Sequence, residues 1–102
     1  MSLSQLHYFV AVAEDGHVGR AAQRLYVAQP AVSRQIRALE DEIGTPLFAR
    51  TPRGMTLLPP GRVFLDRARE ILAAVEDAAQ AARAAGVVSR STAGAGPPKS
   101  TE

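Results

Sequence analysis

Ala28-Gln29-Pro30-Ala31-Val32-Ser33-Arg34-Gln35-Ile36, AQPAVSRQI, reads as the start of a helix with a basic outer face. Proline is tolerated in a first helical turn, where the backbone N–H groups have no internal partner, and it pushes the residue before it away from helical geometry. Gln29 is therefore expected at or near the cap. Downstream, Val32, Ile36, Leu39 and Ile43 recur at spacings of four, three and four, which puts them on one buried face. At 100° per residue the opposite side carries Pro30, Ser33, Arg34 and Arg37, with no acid among them. Gly44, followed by Pro46, ends the helix.

Upstream, Ser2 and Gln5 have capping-box spacing, and Leu6, Phe9, Val10 and Ala13 follow at helical intervals up to Gly16. A second short helix is expected over Val18–Leu25, with Val18, Ala21, Ala22 and Leu25 inward. Only Tyr26-Val27-Ala28 separate it from the helix of AQPAVSRQI, so residues 18–37 form a helix-turn-helix pattern. After Gly44 the period changes. Leu47–Arg50 and Met55–Leu58 are strand candidates flanking Thr51-Pro52-Arg53-Gly54, a turn with proline and glycine where a hairpin needs them. Arg50 and Arg53 are the candidate nucleic-acid contacts on this hairpin, although an exposed turn also carries charge for solubility alone.

Pro59-Pro60-Gly61 opens a long helix, expected over residues 60–86. Phe64, Ala68, Ile71, Val75, Ala78, Ala82 and Ala85 recur alternately at four and three residues, a heptad seam. At 1.5 Å per residue the helix is about 39 Å long, more than a domain of this size covers. Phe64 and Ala68 suit packing onto their own domain, while the distal half suits a second copy. A dimer is expected. From Val87 the composition turns to glycine, proline, serine and threonine, and 87–102 is read as a flexible tail.

Charge is segregated along the chain. The net charge is only +2, yet Gly16–Leu39 holds four arginines and no acid, and Ile43–Leu65 holds three arginines and no acid. Eleven of the twelve basic residues are arginine, whose planar fork pairs with phosphate or a guanine edge as lysine cannot. The chain of 102 residues has no cysteine, which excludes disulfides and cysteine-based zinc sites and suits a reducing cytoplasm. Its apolar runs, such as FVAVA and ILAAV, are too short to span a bilayer, and no signal-peptide pattern opens it. The expected location is the cytoplasm, at the nucleoid. His7 and His17 lack companions at metal-ligand spacing, Ser33 has no evident histidine base and no glycine-rich phosphate loop occurs, so no metal, cofactor or enzymatic activity is expected.

These features together match a family. Residues 1–61, through the RAA of Arg20–Ala22, AQPAVSRQI, the LE of Leu39 and Glu40, and the PLFAR of Pro46–Arg50, closely resemble the N-terminal DNA-binding domain of LysR-type transcriptional regulators. The resemblance implies a mainly helical fold, a winged helix-turn-helix over residues 1–59, dimerisation through the long helix, and bacterial promoters with interrupted inverted repeats. By position it places Gln29, Pro30, Ser33 and Arg34 toward the major groove of double-stranded DNA and Arg53 on the wing. Arg37 could equally pair with Asp41 one turn on.

Departures from the family pattern stand at three positions. His17 and Gly19 replace the serine or asparagine, and the threonine or serine, with which the second helix often begins, and Leu58 replaces a capping threonine. The interior glycine costs about 1 kcal/mol relative to alanine, and the lost cap about 0.5–2 kcal/mol. Family members also continue into a larger domain that senses a small molecule; no effector site is expected on these residues. The rival reading is an interaction protein that pairs through its long helix with a full-length relative, as a heterodimer, and antagonises it.

Overall fold

The computed structural model describes residues 1–93. In chain order it contains α1 (Leu3–Asp15), α2 (Val18–Leu25), α3 (Gln29–Ile43), β1 (Phe48–Thr51), β2 (Gly54–Leu57) and α4 (Pro59–Ala93). Three helices, a two-stranded antiparallel wing and a long final helix make the winged helix-turn-helix that the pattern predicts.

α1 begins with a complete capping box. The Ser2 hydroxyl accepts from the Gln5 N–H at 3.1 Å, and the Gln5 side chain accepts from the Ser2 N–H at 3.1 Å. It ends at Gly16 in the left-handed region, whose N–H donates to the Val12 carbonyl. Leu6 and Phe9 are buried as expected, but Ala11 and Val12 join them, while Val10 and Ala13 are only partly buried. The cause is that α1 packs on both α2 and α3, which widens its apolar arc and turns it toward Ala11 and Val12.

α2 places Ala21 and Ala22 in the core, with Val18 and Leu25 at its margin. Its last turn passes into Tyr26, which takes left-handed geometry at φ 59° with its side chain 95% exposed. α3 then buries Val32, Ile36 and Leu39 completely. Its cap is Ala28, which offers no side-chain acceptor, and Gln29 is the first helical residue rather than the cap. At its other end the Glu40 carboxylate accepts from the N–H groups of Leu47 (2.8 Å) and Phe48 (3.2 Å), tying α3 to the first strand.

The strands sit one residue nearer the turn than the apolar pattern indicates, at Phe48–Thr51 and Gly54–Leu57. Thr51 is the reason. Its hydroxyl donates to the Gly54 carbonyl at 3.1 Å and accepts from the Arg53 N–H at 3.2 Å, so the Thr51–Gly54 pair closes the ladder. Gly54 has φ 135°, and a Cβ there would lie 2.2 Å from the Gly16 carbonyl oxygen. That approach lets the Met55 N–H donate to Gly16 at 3.0 Å, seating the wing on the α1–α2 turn.

α4 starts against the same strand. A Cβ on Gly61 would stand 2.2 Å from the Leu47 carbonyl oxygen and 2.8 Å from a Leu57 methyl. Gly61→Ala is therefore expected to cost about 3 kcal/mol in denaturant unfolding, because backbone rather than a flexible side chain must move. An unchanged midpoint would contradict this packing. Leu58 offers no side-chain acceptor, but Pro59 and Pro60 carry no N–H for one to serve, which leaves the Gly61 N–H, and the Arg62 N–H bonds the Leu58 carbonyl.

Phe64 and Ala68, the proximal end of the heptad seam, pack onto the chain's own core as their position suggests and leave only the distal positions for a second copy: Ala68 is fully buried, and the Phe64 ring meets Phe9 edge-on at 5.0 Å. One expectation for α4 is corrected. The helix runs through Ala93, so 87–93 is not tail. One glycine, Gly86, costs about 1 kcal/mol, too little to stop a helix whose sequence has no proline between Pro60 and Pro97. The rest of the tail assignment, 94–102, lies outside the described residues. By compactness, Met1–Leu72 forms one unit, which takes in the start of α4, and the second begins at Ala73.

Candidate nucleic-acid interface

With Val32, Ile36 and Leu39 locked into the core, the opposite side of α3 is held outward. Pro30, Arg34 and Arg37 are exposed and Ser33 is half-buried at the edge. Gln29 is exposed at the start of the same helix. It lines a shallow cleft of about 230 Å³ with His17 and Gly19 from the start of α2, and with Arg50, Thr51 and Pro52 from the wing. Arg53 lies at the wing turn with Thr51, Pro52 and Thr56. The structure thus brings Gln29 and Arg50 together in one cleft and places Arg53 at the tip.

Ion pairing divides the arginines into two sets. Arg24 bonds Asp15 at 3.1 Å and Glu14 at 3.2 Å, Arg69 bonds Glu14 at 3.1 Å, Arg67 meets Glu70 at 3.5 Å and Arg83 meets Glu76 at 3.2 Å. The hydrogen bond to Asp15 is the largest influence on the Arg24 guanidinium and raises its pKa against a smaller opposing desolvation. Among the described residues, Arg20, Arg34, Arg37, Arg50, Arg53 and Arg62 form no ion pair. The alternative pairing of Arg37 with Asp41 is not made. All six are exposed, and all belong to α2, α3, the wing or the first turn of α4. Apart from a contact of the Arg50 guanidinium with the Met55 sulfur at 3.7 Å, these exposed groups keep their donors free for an anionic partner, and their aggregate field attracts one.

Arg20 and Arg62 were not among the residues singled out from sequence. Their signal was present as the absence of acids around them, but pairing is a tertiary property and only the fold separates them from Arg24. His17 has a role that its place in the sequence does not announce. Its Nδ1 accepts from the Arg20 N–H at 3.3 Å, so the imidazole caps α2 where a hydroxyl or amide more commonly does so. Among the described residues, no cluster of three metal-ligating side chains occurs and no helix is long and apolar enough to cross a membrane.

A family model for the bacterial regulatory helix-turn-helix proteins of the LysR family matches residues 3–62. The chain belongs to the LysR family. Among its relatives, the HTH-type transcriptional regulator TfdT of Cupriavidus pinatubonensis is 53% identical over 85 residues, which cover 83% of this chain and 37% of TfdT. ClcR of Pseudomonas putida is 48% identical over 85 residues, covering 83% of this chain and 29% of ClcR. The chain thus spans about a third of the length of the curated relatives it matches. Among solved structures, the CbnR DNA-binding domain in complex with DNA superposes with a TM-score of 0.81 at 44% identity, covering 84% of this chain and 99% of that one. The BenM DNA-binding domain with catB site 1 DNA gives 0.82 at 37% identity, covering 84% and 97%. The LysR markers now have structural roles: AQPAVSRQI is the start of α3, and the LE glutamate, Glu40, holds the entry to the wing.

Proposed function

We propose that this chain is a sequence-specific DNA-binding transcriptional regulator of the bacterial cytoplasm that reads the major groove with the start of α3 and binds as a dimer. The observation that carries the reading is the set of six exposed, unpaired arginines on the helix-turn-helix, the wing and the start of α4. Arg34 and Gln29 are the base-reading candidates, because guanidinium and amide groups match the paired donor and acceptor edges of guanine and adenine. Ser33 and Arg37 flank them on α3, Pro30 sets the helix start, and Arg50 and Arg53 bring the wing to backbone phosphates. The DNA complexes of the CbnR and BenM domains support this reading by likeness of fold and sequence. Selection from a pool of random-sequence duplexes should enrich an interrupted inverted repeat. Recovery of no common motif would overturn the proposal.

The dimer rests on the distal seam. Ile71 and Val75 are each 43% exposed, and Ala78, Ala82 and Ala85 are exposed in the second unit at heptad spacing. Val75→Glu is expected to raise the dimer dissociation constant by about a hundredfold or more in sedimentation equilibrium, since a two-fold interface would bury two unpaired carboxylates. Thermal unfolding of the first unit should be unchanged. A variant that dimerises like the wild type would place the contact elsewhere.

A further inference from the structure

The start of α2 departs from the LysR pattern at two positions together, and the geometry connects both to α3. A Cβ built on Gly19 would lie 3.0 Å from Cε1 and 3.2 Å from Nδ1 of His17, and 3.3 Å from Oε1 of Gln29. Ordinary contacts between such atoms begin at about 3.5 Å. The space above Gly19 is therefore shared by the imidazole that caps α2 and the amide that begins α3.

The two groups are held unequally. The imidazole is fixed by its bond to the Arg20 N–H, and moving it would uncover the helix end. A Cβ at position 19 presses on both: the ring, which carries the two shorter contacts, can yield only by a small tilt on its bond to Arg20, while the Gln29 side chain, which among the described residues makes no hydrogen bond within the chain, is free to change rotamer. We infer that Gly19 is a positioning residue for sequence recognition: by lacking a side chain beneath the His17 ring, it leaves Gln29 the one pose from which its amide reaches the base edges. The base this pose suits is adenine, whose N7 acceptor and N6 donor complement a glutamine amide in the major groove. The inference rests on the reading of α3 as the groove-facing helix.

A residue that served only the fold would behave differently from this one. Gly19 stands in the first turn of α2, where the helix preference of alanine is offset by the pressure on the His17 ring, so Gly19→Ala should change the melting temperature by less than about 5 °C. Recognition should change nevertheless. In selection from a random-sequence duplex pool, wild-type protein enriches a motif, and Gly19→Ala should lose roughly tenfold of its preference at one base pair in each half-site. Gln29→Ala should lose preference at that same base pair, and adding Gly19→Ala to Gln29→Ala should change nothing more.

The outcomes separate cleanly. No enriched motif for the wild type would overturn the proposed function and this inference with it. A wild-type motif that Gly19→Ala reproduces unaltered would overturn the inference alone. So would an effect of Gly19→Ala that persists in the Gln29→Ala background, since the glycine would then act through another group. A fall in melting temperature of more than about 5 °C would put the crowding on the fold instead and would also overturn it.

Discussion

Arg34→Ala should weaken binding to the preferred duplex by about 1–3 kcal/mol per half-site, and a dimer on two half-sites loses that twice. The expected affinity loss is therefore roughly 30-fold or more, with the fold intact. Intactness follows from position: Arg34 is exposed on α3, makes no ion pair within the chain, and lies opposite the buried Val32, Ile36 and Leu39. Two mechanisms give the loss different signatures. If the guanidinium pairs bidentately with guanine, the variant relaxes preference at that base pair while the salt dependence changes little. If it grips phosphate, all sequences weaken alike and the slope of log K against log salt falls by about 1 per half-site. Titration of the preferred and a scrambled duplex at several salt concentrations separates them. An Arg34→Ala protein that binds as the wild type does would remove α3 from the interface.

The largest effect on stability is expected at Phe9. Its ring is fully buried, 5.2 Å from the ring of Phe48 and 5.0 Å from that of Phe64, so one side chain joins α1 to the wing and to α4. Phe9→Ala should cost about 3–5 kcal/mol, combining lost transfer energy with the cavity left between two aromatic neighbours. Met1–Leu72 at 0.05–0.15 kcal/mol per residue has roughly 4–11 kcal/mol in total. The melting temperature should fall by about 15 °C or more, and DNA binding should fail with the fold. Phe9→Leu, which keeps most of the volume, should lose far less. Equal losses for the two variants would mean that the site tolerates collapse and that the aromatic cluster is not the hinge of the core.

What could be read from the chain alone was what is local. The Ser2–Gln5 capping box, the Gly16 and Gly44 stops and the burial of Val32, Ile36 and Leu39 are each specified within a few residues, and each is found in the structure. The errors arise where distant segments decide. Period alone is the same along a heptad seam, and it was the length of α4 against the size of the domain that set Phe64 and Ala68 apart from Ile71 and Val75, while the end of the helix beyond Gly86 was not legible. Strand ends depended on the Thr51 hydroxyl closing its own turn, which apolar alternation does not encode.

The candidate nucleic-acid interface shows the same division. The acid-free stretches around α2, α3 and the wing point to Arg34, Arg37, Arg50 and Arg53, and Gln29 comes from the LysR resemblance. The sorting of arginines required α1, whose Glu14 and Asp15 lie ten and nine residues before the Arg24 they engage. Histidine is not a common helix cap, so neither the role of His17 nor its sharing of space with Gly19 and Gln29 is visible without coordinates. Gly61 likewise looked like a helix-start residue. Its constraint is the Leu47 carbonyl, fourteen residues earlier in the chain and 2.2 Å from where a Cβ would be.

The most direct test of sequence-reading by α3 is the affinity of the full chain for a promoter duplex from its own locus, measured beside a scrambled duplex of equal length and composition across a salt series. Both affinities should fall steeply with salt, since the arginine face displaces counterions from any duplex, while the promoter stays tighter by about a thousandfold or more near physiological salt. Equal affinities with equal slopes, or no binding to either, would contradict the account.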